Sequence, residues 1–185
     1  MKREYRNLTR TKKMIRRAFV ELIGEKKTIS NISVAELAER ADIAKSTFYN
    51  HYDDIYSVAD EMMNEILGEL NRIIDAMDAG QTTDYHLYIK NIFAYLKENE
   101  DIYRRLSSSP DAVFFLNKIK QTITKRVFAN VKSSFLSKNK AERQVQISFL
   151  ANACIDTVVD YFRGNFNMSF DDLEKVIMDI LGRMV

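Results

Sequence analysis

Apolar residues recur along this chain at the i, i+3, i+4, i+7 spacing of one helical face, with polar residues between them. From Thr9 to about Gly24, Met14, Ile15, Ala18, Phe19, Leu22 and Ile23 form a two-wide apolar stripe, while Arg10, Lys12, Lys13, Arg16 and Arg17 take the other faces. Residues 25–31 are expected to form a connecting loop, with Ile29 and Ile32 tucked beneath the helices around it. A second helix follows on Val34, Leu37, Ala38 and Ala41. Ser33 is placed to cap it, and Glu36 three positions on completes a capping box. Asp42 falls at a tight turn, where a short polar side chain tolerates left-handed backbone angles. A third helix opens at Ile43 or Ala44 and sets two stripes against each other. Ile43, Ala44 and Phe48 face the second helix, and Lys45, Ser46 and Tyr49 face away.

The pattern then lengthens. Asp53 and Asp54 suit the first turn of a helix, where the macrodipole favours negative charge. That helix carries Ile55, Val58, Met62, Ile66, Leu70, Ile73, Ile74 and Met77 and ends near Gly80, a span of roughly 37 Å at 1.5 Å per residue. Helical spacing resumes from Tyr85 to Lys97 and in a short segment from Asp101 to Leu106. Ser107-Ser108-Ser109-Pro110 is the clearest breaker in the chain. Further helices are expected from Ala112 to about Leu136 and from Ala141 to Phe162, the latter apolar nearly all round and so buried on more than one side. Gly164 ends it, and Ser169 with Asp172 caps a last helix reaching Met184.

Two short helices joined by a tight turn, the second presenting a cation, a hydroxyl and an aromatic, are the parts of a helix-turn-helix whose second helix enters the major groove. The run from Ile32 to Tyr52, strongest at Ile43-x-x-x-Thr47-Phe48-Tyr49-x-His51-Tyr52 with its acidic pair, resembles the DNA-binding domain of the TetR family of bacterial transcriptional regulators. The motif covers roughly residues 9 to 58; the rest agrees in length, helicity and element order. The resemblance implies an all-α protein with a three-helix DNA-binding head (1–54) and a helical-bundle body (55–185) for dimerisation and ligand binding. It implies that Lys45, Ser46 and Tyr49 approach base edges, that Thr47, Tyr49, Asn50 and His51 flank or hold phosphates, and that Ser33 offers another phosphate contact. At the first helix, Thr11 or Lys12 could reach phosphate in the family's arrangement. It implies also a homodimer through the last two helices, a palindromic double-stranded operator and, usually, repression. Two positions depart from the family: Asp42 stands where glycine is usual, and Ile55 where a phosphate-binding lysine is usual.

Composition narrows the alternatives. Hydrophobic residues make up 46% and charged residues 29%, ordinary for a soluble globular protein, and one Pro with five Gly favours long helices over many-turned β structure. No apolar run approaches the length of a membrane span, and the amino terminus does not read as a secretory signal. The single cysteine, Cys154, suits a reducing cytoplasm and reads as a buried small hydrophobe. The net charge of +2 conceals an asymmetry: residues 1–51 hold 12 Lys/Arg against 6 Asp/Glu, a balance of +6, and the remainder holds 16 against 20, a balance of −4. A basic head on an acidic body favours phosphate at one end only. Residues 1–8, with Lys2, Arg3 and Arg6, are expected to form a flexible basic arm, either solvated or in contact with DNA.

No nucleophile–base pattern or phosphate loop points to an enzyme, and no cofactor is called for. Two histidines 35 positions apart make no metal site. For a small-molecule effector, the body offers Tyr88, Tyr95, Tyr103, Phe114, Asp156 and Asp160, which read either as pocket lining or as core. Asp156 and Asp160, four apart in an apolar helix, read as buried carboxylates that need a partner, either structural or a cationic ligand. The alternative to an effector is control by a protein partner, with activation in place of repression.

Overall fold

The structure, a computed structural model, describes residues 2–80, 85–127 and 136–184, without the side chains of residues 2–8, 85, 114, 115 and 184. The described residues are helical and contain no strand. They divide into two compact units, one of residues 1–66 with 105–112, the other of residues 67–104 with 113–185.

The first unit is built on α1 (Lys2–Lys26), a 3-10 turn (Ile29–Asn31), α2 (Val34–Arg40), α3 (Lys45–Tyr49) and the start of α4 (Ile55–Ala79). The residues expected to form a flexible basic arm instead continue α1 back to Lys2. Lys, Arg and Glu are good helix formers and nothing in that stretch breaks the helix. The side chains of Lys2, Arg3 and Arg6 lie outside the described residues. The expected stripe is the core-facing side of α1, where Ile15, Ala18, Phe19, Leu22 and Ile23 are buried. Ile29 and Ile32 are buried with them, as their spacing predicts.

Ser33 caps α2 as expected: its Oγ accepts from Glu36 N at 3.2 Å, and Glu36 Oε2 accepts from Ser33 N at 3.2 Å. At the far end, Ile43 N donates to Ala38 O at 3.0 Å and Asp42 N to Glu39 O at 3.1 Å. These two bonds close a Schellman turn, which needs a left-handed residue between them. Asp42 supplies it at φ 53°, so the family's glycine position is strained but occupied. α4 begins where the acidic pair predicts, with Asp54 Oδ1 accepting from Ser57 N at 2.7 Å.

The second unit holds the rest of α4 with α5 (Tyr85–Glu98), most of α6 (Glu100–Ser107), α7 (Ala112–Arg126), α8 (Lys140–Phe162) and α9 (Phe170–Met184). The predicted extension of α7 to Leu136 crosses residues outside the described ones. α9 packs on α5 and α8, and Phe170 at its start lies 5.2 Å from Phe93, 5.4 Å from Phe162 and 5.2 Å from Tyr161, ring to ring. Gly164, at φ 84°, turns the chain out of α8, and Ser169 Oγ caps α9 by accepting from Asp172 N at 3.1 Å.

α8 departs from its expected all-round burial. Ile147, Leu150, Ala151, Ile155, Val159, Tyr161 and Phe162 are buried, but Val145 is 69% exposed and Phe149 68%. One chain supplies cover for only one side of this helix. No helix among the described residues is long and apolar enough to cross a membrane.

Candidate nucleic-acid interface

The division of α3 into two sides follows from its sequence and from what α2 leaves open. Phe48 is 0% exposed, with its ring edge-on to Tyr49 at 5.6 Å and tilted against Tyr52 at 5.8 Å. This anchor turns the next residue outward, and Tyr49 is 57% exposed. Lys45, Ser46 and Asn50 are exposed as well, and Thr47 and His51 are half-buried on the flanks. Within five residues the helix thus presents an ammonium, a hydroxyl and a phenol to solvent, the donor types that base edges and phosphates accept. Ser33 is also exposed, but its hydroxyl is occupied by the capping box and donates to Glu36 Oε2 at 3.0 Å.

Electrostatics sort the basic residues of this unit. Arg40 holds Glu25 through two bonds, at 2.9 and 3.0 Å, and lies 3.5 Å from Glu21, tying α2 to α1. Lys26 pairs with Glu36 at 2.9 Å; together with the Ser33 bonds, it holds the Glu36 carboxyl down to about 2. Lys12 reaches Glu61 at 2.5 Å, Arg16 bonds Glu65, and the Tyr52 hydroxyl donates to Glu61. Burial, reinforced by the bond to Glu61, pushes the Tyr52 phenol up to about 12. Burial works against ionised Glu61, but Lys12, Tyr52 and Arg16 together keep its carboxyl below the ordinary range.

Arg17, Lys26 and Arg40 are thus answered by carboxylates of residues 1–51 themselves, whereas Lys12 and Arg16 are answered by Glu61 and Glu65 on α4. Lys12, which the resemblance allows to reach phosphate, is taken by Glu61, whereas Arg10, Lys13 and Lys45 make no ion pair with any described residue. Sequence reasoning missed the Tyr52–Glu61–Lys12 cluster, because partners 49 positions apart leave no local signal. The departure at Ile55 has a structural reason: the side chain is 6% exposed and serves the core where a lysine would reach outward.

Of the body's candidate ligand residues, the described contacts bring only Tyr95 and Tyr103 together. The Tyr88 hydroxyl donates to Asp78 at 2.6 Å, and this bond pushes its phenol up to about 12; Asp78 also pairs with Arg126 at 3.0 Å. Tyr95 and Tyr103 meet edge-on at 6.2 Å, and Tyr103 packs on Phe162 at 5.5 Å. Burial raises the Tyr103 phenol above its ordinary value. The side chain of Phe114 lies outside the described residues.

Neither aspartate of α8 is buried, which corrects the reading from their apolar neighbours. Asp156 is exposed and pairs with Lys120 at 2.5 Å; Asp160 is half-exposed beside Arg163 at 3.6 Å and Asn165 at 3.2 Å. Four-residue spacing placed them on one stripe of α8, but that stripe faces solvent and lysine rather than core. Cys154 is half-buried, and burial pushes its thiol up to about 11, away from thiolate chemistry. The described residues contain no cluster of metal-ligating side chains.

Comparison with known proteins places this geometry. A TetR family model described as "Transcriptional regulator C-terminal region" matches residues 83–183, more than half of the chain. An uncharacterized HTH-type transcriptional regulator of Bacillus subtilis (strain 168), YxbF, is 25% identical over 65 residues, 35% of this chain and 17% of that protein. The chain therefore spans only a small part of that relative. Among solved structures, a TetR transcriptional regulator from Streptococcus agalactiae 2603V superposes with a TM-score of 0.67 at 22% identity, covering 96% of both chains. The dihydroxyacetone kinase operon activator DhaS gives 0.62 at 19%, covering 94% of this chain and 96% of its own. With the family model spanning the carboxy-terminal region and the helix-turn-helix in front of it, the chain belongs to the TetR family of transcriptional regulators.

Proposed function

We propose that this regulator is a cytoplasmic homodimer that binds a palindromic operator sequence-specifically and releases it when a small-molecule effector enters the helical body. The observation that carries the reading is the division of α3, with Phe48 sealed in the core and Tyr49 turned 57% into solvent. In this reading Lys45, Ser46 and Tyr49 meet base edges, while Thr47, Asn50 and His51 meet the flanking phosphates. Ser33 keeps accepting from Glu36 N while its hydroxyl proton rotates from the Glu36 carboxylate to a phosphate. The segment 1–54 supplies the contacts, with the first turns of α4 as their support.

Dimerisation is supported by the uncovered sides of the last two helices. Val145 and Phe149 on α8 are 69% and 68% exposed, and Val176 and Ile180 on α9 are 46% and 47% exposed, each pair at i, i+4. Family members bind DNA and form dimers, and a two-fold axis through these helices would present two heads to two half-sites.

One observation favours a second reading, activation through a protein partner. Tyr88, Tyr95 and Tyr103 are already engaged within the chain, while Phe166 and Met168 stay exposed between α8 and α9. That one fold neighbour, DhaS, is an operon activator fits this reading.

The test is selection from a pool of randomised duplexes by the purified chain. Enrichment of an inverted repeat with half-sites about one helical turn apart, or a multiple, bound with an affinity that falls steeply with salt, is the expected result. A pool that stays random after repeated rounds overturns the DNA reading. Screening small molecules for release of the enriched duplex then separates the two modes of control.

A further inference from the structure

The breaker Ser107-Ser108-Ser109-Pro110 has no part in the function proposed above, yet it belongs to the first unit, reached by the chain only after a stretch of residues assigned to the second. There it meets the junction that leads from α1 into the helix-turn-helix. That junction has bonds of its own, Lys27 N to Ile23 O at 3.0 Å and Asn31 Nδ2 to Lys26 O at 3.3 Å among them, but they do not reach the Ile29 amide. Lys27 sits at φ 69°, a left-handed conformation that a lysine keeps only where its surroundings fix it. Thr28, at the N-cap position of the 3-10 turn, makes no side-chain capping bond. The missing cap comes from 82 residues away: Asp111 Oδ2 accepts from Ile29 N at 2.7 Å in a partly buried setting.

The segment is ordered for this task. Ser109, 4% exposed, takes the Asp111 N–H on its Oγ at 3.2 Å, which orients the aspartate. Ser108 Oγ accepts from Lys27 Nζ at 3.3 Å and donates to Arg105 O at 2.7 Å. Gly24 faces Arg105, two residues before the breaker: a Cβ there would stand 3.3 Å from Arg105 Cγ. From Ile29 it is four residues to Ser33, the cap of α2.

We infer that Asp111 is a positioning residue for DNA binding, a remote cap that fixes the turn between α1 and α2 and so the orientation of the helix-turn-helix. This rests on the DNA reading above. The carboxylate touches no DNA; it acts through the Ile29 amide, and Ile29 and Ile32, both buried, carry the constraint into the head.

The test compares Asp111→Ala and Asp111→Asn in the full chain, with Ile177→Val in α9 as a control that loses stability away from the head. Two quantities are read: hydrogen exchange at the Ile29 amide, and affinity for the duplex enriched by selection relative to an unrelated duplex. Asp111→Ala is expected to speed Ile29 exchange by about tenfold or more. It should weaken binding to the enriched duplex by about 5- to 30-fold and leave the unrelated duplex unaffected. Asp111→Asn, which keeps an acceptor oxygen, should recover most of both. Unchanged affinity in Asp111→Ala, or an equal loss in Ile177→Val, overturns the positioning role while leaving the DNA reading intact. A wild-type chain that enriches no duplex overturns both, and unchanged Ile29 exchange removes the cap itself.

Discussion

Phe149→Ala tests the proposed dimer at its most exposed aromatic. A phenylalanine buries about 150–250 Å² when fully covered. With 68% of the residue open in the single chain, about 130 Å² remains for a partner to cover. At about 25 cal/mol per Å² this is worth about 3 kcal/mol. A two-fold interface counts each substitution twice, giving about 6 kcal/mol, roughly four orders of magnitude in the dimer dissociation constant. Incomplete cover and ordering losses on association take part of this back, so a weakening of about a hundredfold is the least the reasoning allows. The chain's own fold should hardly register the change, because an exposed side chain contributes within about 0.5 kcal/mol either way. Sedimentation equilibrium over a concentration series reads the dimer constant, and thermal melting by circular dichroism checks the fold. A dimer constant within fivefold of wild type refutes the interface, as does a wild-type chain that stays monomeric at its highest soluble concentration.

Other consequences follow from the head. Tyr49→Ala removes an exposed ring and should cost about 1–3 kcal/mol of affinity for the enriched duplex with the melting temperature unchanged; retained affinity in a filter-binding titration would exclude Tyr49 from the interface. Phe48→Ala empties a position with no exposure and should cost about 3–5 kcal/mol, read as loss of helicity at lower urea together with loss of DNA binding; an unchanged unfolding midpoint would show that Phe48 does not anchor α3. Acid should selectively loosen the capping box. The Glu36 carboxyl lies near 2 in the fold against 4.5 ordinarily, so its contribution is complete above the ordinary value and fades as pH falls through this window towards 2. The stability gap between wild type and Glu36→Gln, measured by melting across that range, should close on acidification; a gap independent of pH would mean the ionised carboxylate contributes nothing.

Much of the head is legible in its residues because the forces that shape it act over a few positions. The capping box needs only Ser33 and Glu36, three apart, and the left-handed turn needs only a residue at 42 that tolerates it. The buried side of α1 follows from helical periodicity, as does the contrast of Phe48 with Tyr49 on α3, but Ala44, expected on the core side with Phe48, is exposed at the helix start. The same local rules placed the starts of α4 at Asp54 and α9 at Ser169.

What only the tertiary structure decided is which groups meet across distance and which faces find cover. Lys12 and Arg16 read alike with Lys13 along a basic helix, yet the first two are drawn to Glu61 and Glu65 and Lys13 is left to solvent. Asp111 caps a turn 82 residues before it, which no local spacing encodes. Asp156 and Asp160, set among apolar neighbours, looked buried but lie on a side of α8 that meets Lys120 and Arg163. Periodicity describes a helix surface; burial is set by what packs against it. An apolar face such as that of Val145 and Phe149 therefore stays open until another surface covers it.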